Sequence, residues 1–368
     1  MCFAAALRIA TAHGVTKKTP FAMADQDTVC STHRRMAWPD VWRVVAASLV
    51  FATHYKPWGG PLRALCHEGH TGVALFFVLS GLLLGRQLFA EGGLPRQGWR
   101  VFFLRRGAKI YSLHTLLYLL CLPLLADTPG QAALSLTLTK GLVPSAVFAG
   151  LPQSWSLTAE LMCYAMLPML VRLPGRGLAG VLGLAAVVAA AASWLWPFAA
   201  LYTVAGRGFA FCLGVALARW PLSLHRGRGG NEGASLPSIR WPLALLLAGA
   251  GLLALGTLAP AGPLTASTDS LAPWALLANT IAIPLVWTAC LGLTLGARVP
   301  GAAFWQLLAQ GSYAFYLIHI GPVARLVGFA VGQQVIWQFV FLWLVAVALH
   351  KLVENPILNK LARTGQKS

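Results

Sequence analysis

Acidic residues are scarce. The 368-residue chain has only ten Asp and Glu, and charged residues of both signs make up 10% of it. A soluble domain carries about 25%, so a soluble globular fold is excluded. Ten-residue stretches of alternating apolar and polar residues are also missing, which argues against a membrane β-barrel. The seven cysteines (Cys2, Cys30, Cys66, Cys121, Cys163, Cys212, Cys290) contain no CxxC pair. They read as small core residues, with no disulfide framework and no zinc site. No internal repeat of fixed period is evident, which disfavours a transporter built from repeats. The apolar run from Met1 to Ala12 is short and lacks a basic leader, so no signal peptide is read there.

What the chain has is apolar length: 57% hydrophobic residues and a mean hydropathy of +0.68. Continuous runs near 20 residues predict an all-α fold, a polytopic integral membrane bundle of about ten transmembrane helices. The spans fall at 38–56, 70–90, 107–126, 155–172, 177–197, 199–219, 241–260, 272–295, 311–331 and 333–353. Residues 1–37 read as a disordered cytoplasmic tail, with Met36 as an alternative start. Residues 38–357 read as one transmembrane domain and 358–368 as a cytoplasmic C-terminal tail. Residues 131–150 read as an outer loop or re-entrant segment, and 220–240 as an inner linker.

The basic residues test this topology. With the N-terminus inside, the inner flanks hold 22 of the 28 Lys and Arg, and the outer loops hold three, Lys56, Arg63 and Lys140. Arg43, Arg207 and Arg325 lie within spans. This is a strong positive-inside bias. It accounts for the net charge of +18 without a nucleic-acid partner and suits contact with anionic membrane lipid.

Charge inside the spans marks the candidate chemistry. Arg43 and His54 are eleven residues apart on the first span, about three turns plus 20°, so both lie on one helix face about 16 Å apart. Ionisable groups in a membrane helix are costly unless they line a site or pathway. Glu160, in SWSLTAELMCYAMLP, is placed about one turn below the outer surface, level with His54. A carboxylate beside an imidazole fixes its tautomer and raises its basicity. Simpler roles stay open: His54 as an interfacial histidine, Glu160 as a complement to its helix dipole. Ser80, in FFVLSG, marks close packing or a channel wall. Arg100, Arg105, Arg106 and Lys109 form an inner basic cluster that suits phosphates or simply obeys the inside-positive bias. Tyr313, Tyr316 and His319 recur on roughly one face, with His319 placed in the inner half of its span. Glu354 and Pro356 read as a helix stop. His67, Glu68 and His70 lack the further ligand a metal site needs.

In order along the chain, these motifs resemble the acyltransferase-3 family of bacterial membrane O-acyltransferases. Asp40, Arg43, Ala46, Val50 and His54 fit its D-x-x-R-x-x-A-x-x-x-V-x-x-x-H pattern. Phe76 to Gly81 follow as FFVLSG, and Arg105, Arg106, Lys109 and Ile110 as its basic segment. Trp155 to Glu160 match WSL-x-x-E, Ser312 to His319 match S-Y-x-x-Y-L-x-H, and Val353 to Pro356 match V-E-x-P. The match covers about residues 38–357. Lys109 stands where the family has a second arginine, and Ser112 where it has a proline. A lysine keeps the charge but loses the bidentate fork.

The resemblance implies an enzyme of the bacterial inner (cell) membrane with cytoplasmic termini. It would move an acyl group from acyl-CoA, acetyl-CoA first, to a hydroxyl of a sugar, glycan or glycosylated small molecule. Acyl-CoA is then a substrate, with no bound cofactor. His54 becomes the catalytic base supported by Glu160. Arg43, Arg105, Arg106 and Lys109 become donor-binding residues, and Ser80, Trp155, Tyr316 and His319 channel-lining ones. The competing expectations are a transporter or flippase for a lipid-linked or small hydrophilic molecule, which would also need intramembrane Arg, His and Glu, and a non-catalytic scaffold.

Overall fold

The computed structural model describes residues 37–55, 70–219, 237–258, 273–294, 297–332 and 334–364, and every regular element among them is helical. The readings of the N-terminal tail, the 220–236 part of the linker, His67 and Glu68, and Cys2, Cys30 and Cys66 lie outside the described residues. The four described cysteines are free thiols.

Helices occupy all ten segments read from the sequence. They are α1 (Trp38–Tyr55), α2 (His70–Ala90), α3 (Gly98–Cys121), α4 (Pro129–Leu136), α5 (Trp155–Leu170), α6 (Gly175–Leu195), α7 (Pro197–Tyr202) and α8 (Val204–Arg219). There follow α9 (Pro237–Leu258), α10 (Pro273–Leu277), α11 (Ile283–Thr294), α12 (Ala302–Ile318), α13 (Pro322–Val331), α14 (Val335–Leu349) and α15 (Asn355–Thr364). Among the described residues, six helical stretches are long and apolar enough to cross a membrane, seven if the bent pair α12–α13 is one span. That is fewer than the ten crossings read from the sequence. One reason is that α5 is only 16 residues long.

Burial separates an inner from an outer layer. The α7–α8 stretch is 72% buried and α2 61%, whereas α6 and the α14–α15 stretch are 22% buried. The inner helices meet through glycine. A Cβ on Gly81 would stand 2.1 Å from the Phe211 carbonyl oxygen, and one on Gly214 2.1 Å from that of Val78. Small residues let α2 and α8 touch backbone to backbone, the close packing that suits helices without a hydrophobic driving force between them. Gly72 seats α2 against Ala46 of α1 in the same way.

Two features differ from the sequence reading. Glu354 and Pro356 do not stop the last helix. A π-turn at His350–Glu354 carries α14 into α15, and Pro356 sits in the first turn of α15, where its missing N–H costs little. At α12 the chain breaks instead. Gly321 has φ +85° and Pro322 opens α13, which leaves α12 at 103°.

Residues 125–154 form an ordered cap of short elements, none long enough to span. The helix α4 starts on a capping box between Thr128 and Gln131, which satisfies two of its free backbone N–H groups. Asp127 accepts from the Tyr118 hydroxyl at 2.8 Å and the Gly150 N–H at 2.9 Å. Lys140, fully buried, donates to the carbonyls of Ala149 at 2.5 Å and Leu151 at 2.6 Å. Thr158 then ties the cap to α5, donating to Leu138 O and accepting from Gly141 N–H. Trp155 to Ala159 are consequently all buried.

Burial pulls the Lys140 ammonium down to about 7. A neutral amine still has two N–H groups, enough for the two carbonyls it meets. Between about pH 7 and pH 10.5 the unfolded chain keeps a proton that the folded chain has lost, so stability rises with pH, by about 1.4 kcal/mol per unit from this one group. Thermal unfolding in detergent from pH 7 to 10 should show a steeper rise for the natural protein than for Lys140→Met, which has no amine to titrate. Parallel curves would refute this.

Candidate functional site

A cavity of about 100 Å³ lies where α1, α2, α3, α5 and α12 converge. Its polar wall is Arg43, Ser80, Arg106, Lys109, Ser156, Glu160, Tyr164, Ser312, Tyr313 and Tyr316, and its apolar wall includes Phe76, Phe77, Leu79 and Leu157. Helix periodicity explains the selection. Arg106, Lys109 and Ile110 are at i, i+3 and i+4 of α3, Glu160 and Tyr164 at i and i+4 of α5, and Tyr313 and Tyr316 at i and i+3 of α12. Each set shares a face.

Glu160 is fixed from two sides. Tyr164 donates its hydroxyl to Oε1, and Ser80 donates to the same oxygen at 3.4 Å. Ser80 is aimed by its neighbour Gly81, which locks α2 onto α8. Arg106 is also held: one guanidinium nitrogen donates to Gln87 at 2.9 Å, and the group lies 5.5 Å from the Phe102 ring centroid. Tyr313 donates to the Ile110 carbonyl at 2.6 Å, tying α12 to α3 beside Lys109. Tyr316 donates to Gln153 O at 2.9 Å and shares a 2.8 Å hydrogen bond with Ser156. Three cations thus face one carboxylate in a low-dielectric pocket, an arrangement that attracts an anion.

His54 lies elsewhere. It is exposed at the end of α1, and its ring is 5.2 Å from that of His319. The sequence reading paired it with Glu160, but Glu160 lines the cavity with Arg43 and bonds Ser80 and Tyr164. The physical reason is the cap. Because residues 125–154 cover the first turn of α5, Glu160 sits deeper than one turn below a surface. His319 is corrected too. It caps the C-terminal end of α12, not the inner half of a span, and so meets the end of α1.

Ser80 and Tyr316 do line the cavity, but Trp155 and His319 do not. Trp155 packs under Arg207, 5.7 Å from the guanidinium carbon, and edge-on to Tyr202. Arg43, Arg106 and Lys109 line it; Arg105 does not. Sequence reasoning gave no role to Ser156 or Tyr164. The i+4 spacing from Glu160 could have marked Tyr164.

The acyltransferase-3 family model, described as an acyltransferase domain, matches residues 36–350. The chain belongs to the acyltransferase-3 family. It is also 29% identical over 379 residues to acyltransferase MdmB of Streptomyces mycarofaciens, covering 87% of this chain and 91% of that one. No solved structure matches. This acyltransferase therefore needs an acyl donor and an acceptor, and its several apolar helices make it a membrane protein. Within the family domain lie both the cation-lined cavity and the His54–His319 contact. Among the described residues no group of three His, Cys, Asp or Glu could hold a metal ion.

Proposed function

We propose that this acyltransferase moves an acyl group, acetyl first, from acyl-CoA on the cytoplasmic side of a bacterial cell membrane to a hydroxyl of a sugar, glycan or glycosylated small molecule. The carrying observation is the charge of the cavity. Arg43, Arg106 and Lys109 face the single carboxylate Glu160, at the end of α1 opposite to His54. The basic flanks read from the sequence support an inside position for that end and for both termini.

The CoA phosphates would sit against Arg106 and Lys109, with Arg105 at the edge of this basic segment. A long flexible arm such as pantetheine would span the roughly 16 Å to His54. Tyr316 lines the cavity, and its ring is 5.6 Å from that of His319, so one residue borders both regions. His54 takes the proton of the acceptor hydroxyl as its oxygen attacks the thioester carbonyl. The new C–O bond forms, the C–S bond breaks, and the CoA thiolate takes up the proton from His54. Glu160 offsets the cations of the cavity and holds Ser80 and Tyr164 in place.

Membranes containing the protein, given labelled acetyl-CoA, should transfer label to an envelope glycan or small glycosylated acceptor, found by mass spectrometry as an added acyl mass. A transporter or scaffold would leave the donor intact, and that result would overturn the reading.

A further inference from the structure

Among the described residues, no carboxylate fills at His54 the role expected of Glu160, orienting the catalytic imidazole. The residue beside His54 is another histidine. His319 is fully buried. Its Nδ1 is 2.7 Å from the Tyr316 carbonyl oxygen. A carbonyl only accepts, so Nδ1 carries the hydrogen. Nε2 is then the lone-pair nitrogen, and among the described residues it is buried without a hydrogen-bond partner. Such an atom is costly unless something comes to meet it.

The ring itself is clamped. It stacks nearly parallel on Phe315, at 10°, and its backbone carbonyl accepts from the Tyr55 hydroxyl at 3.0 Å. Tyr55 is the neighbour of His54, so this bond joins the ends of α1 and α12. The Gly321 bend follows at once and removes α13 from the line of α12. At 5.2 Å between centroids, facing nitrogens of two imidazoles come within hydrogen-bonding reach. His54 is exposed; His319 is fully buried. Such bonds often close only when substrate is bound.

We propose that His319 is the positioning residue for His54: its unpartnered Nε2 accepts the N–H of the His54 ring, fixing the tautomer that presents the other nitrogen to the acceptor hydroxyl. A neutral imidazole thereby does what a carboxylate does in a base–orienter pair. This rests on the reading of His54 as the base.

The test uses the full chain in native membranes with labelled acetyl-CoA, measuring kcat and KM for the donor. Asparagine at 319 keeps a donor near the Nδ1 position but has no acceptor at Nε2. Glutamine reaches the Nε2 position with an acceptor oxygen. His319→Asn should lower kcat by about ten- to a hundredfold, with the donor KM within about twofold, and His319→Gln should recover most of the loss. Wild-type kcat in His319→Asn, or equal losses in both variants, would overturn the proposal. If His319→Asn fails to accumulate, His319→Gln decides alone, and a loss beyond about tenfold counts against it. His54→Ala is run alongside. Full activity there removes the base assignment itself, whereas an inactive His54→Ala beside a fully active His319→Asn removes only the orienting role.

Discussion

His54→Ala should lower acyl transfer by about two to four orders of magnitude, the usual contribution of a positioned general base, while the protein still inserts and folds. The second half of that expectation comes from burial. The His54 ring is exposed, and no hydrogen bond among the described residues uses it; its packing contact is with His319. Removing it opens no cavity and strands no donor, unlike most changes that destabilise by several kcal/mol. The first half comes from chemistry. A sugar hydroxyl is a weak nucleophile, and a nearby imidazole is the side chain best suited to take its proton near neutral pH. The donor KM should change little, because the cations that line the cavity are at the other end of α1. Turnover of labelled acetyl-CoA in membranes, normalised to protein level, checks both. Retained turnover would move the base elsewhere, and a raised KM at constant kcat would make His54 part of the donor site.

Much of this arrangement was legible in the chain. Arg43 and His54 are at opposite ends of one face because a helix repeats every 3.6 residues, and the structure places Arg43 in the cavity and His54 outside it. Ser80 and Gly81 announced close packing, and the contact of Gly81 with the Phe211 backbone supplies it. Depth was not legible. Hydropathy marks which residues prefer lipid but not where a helix begins beneath an ordered loop. The sequence therefore sets Glu160 level with His54, although the Lys140 and Thr158 contacts hold a cap over the start of α5. The sequence misplaces His319 for a related reason. An apolar run from 311 to 331 hides the break at Gly321 and Pro322, and that break makes His319 the end of α12. Both errors concern non-local packing around breaks that a sliding window averages away.

The basic segment shows the same limit and supports the second large effect. Arg105, Arg106 and Lys109 are equivalent as charges, but they are not equivalent on a helix. Arg106 and Lys109 share the face that meets Arg43 and Glu160, and Arg105 is turned from it by about 100°. Only the facing pair can reach a phosphate lodged in the cavity. Each charge-assisted hydrogen bond lost there costs about 1.5–3 kcal/mol, and each 1.4 kcal/mol is about tenfold in affinity. Arg106→Gln with Lys109→Gln should therefore raise the KM for acetyl-CoA by about a hundredfold or more. The kcat at saturating donor should fall far less, because His54 and His319 are untouched. Arg106 should contribute more than a mobile surface arginine, since Gln87 and Phe102 already hold its guanidinium and little ordering remains to be done on binding. Arg105→Gln should raise KM much less than either single change on the facing pair. Initial rates over a range of acetyl-CoA concentrations distinguish these outcomes. Equal effects at all three positions would mean that the segment acts as diffuse inner charge, and a loss confined to kcat would place the donor phosphates away from this cavity.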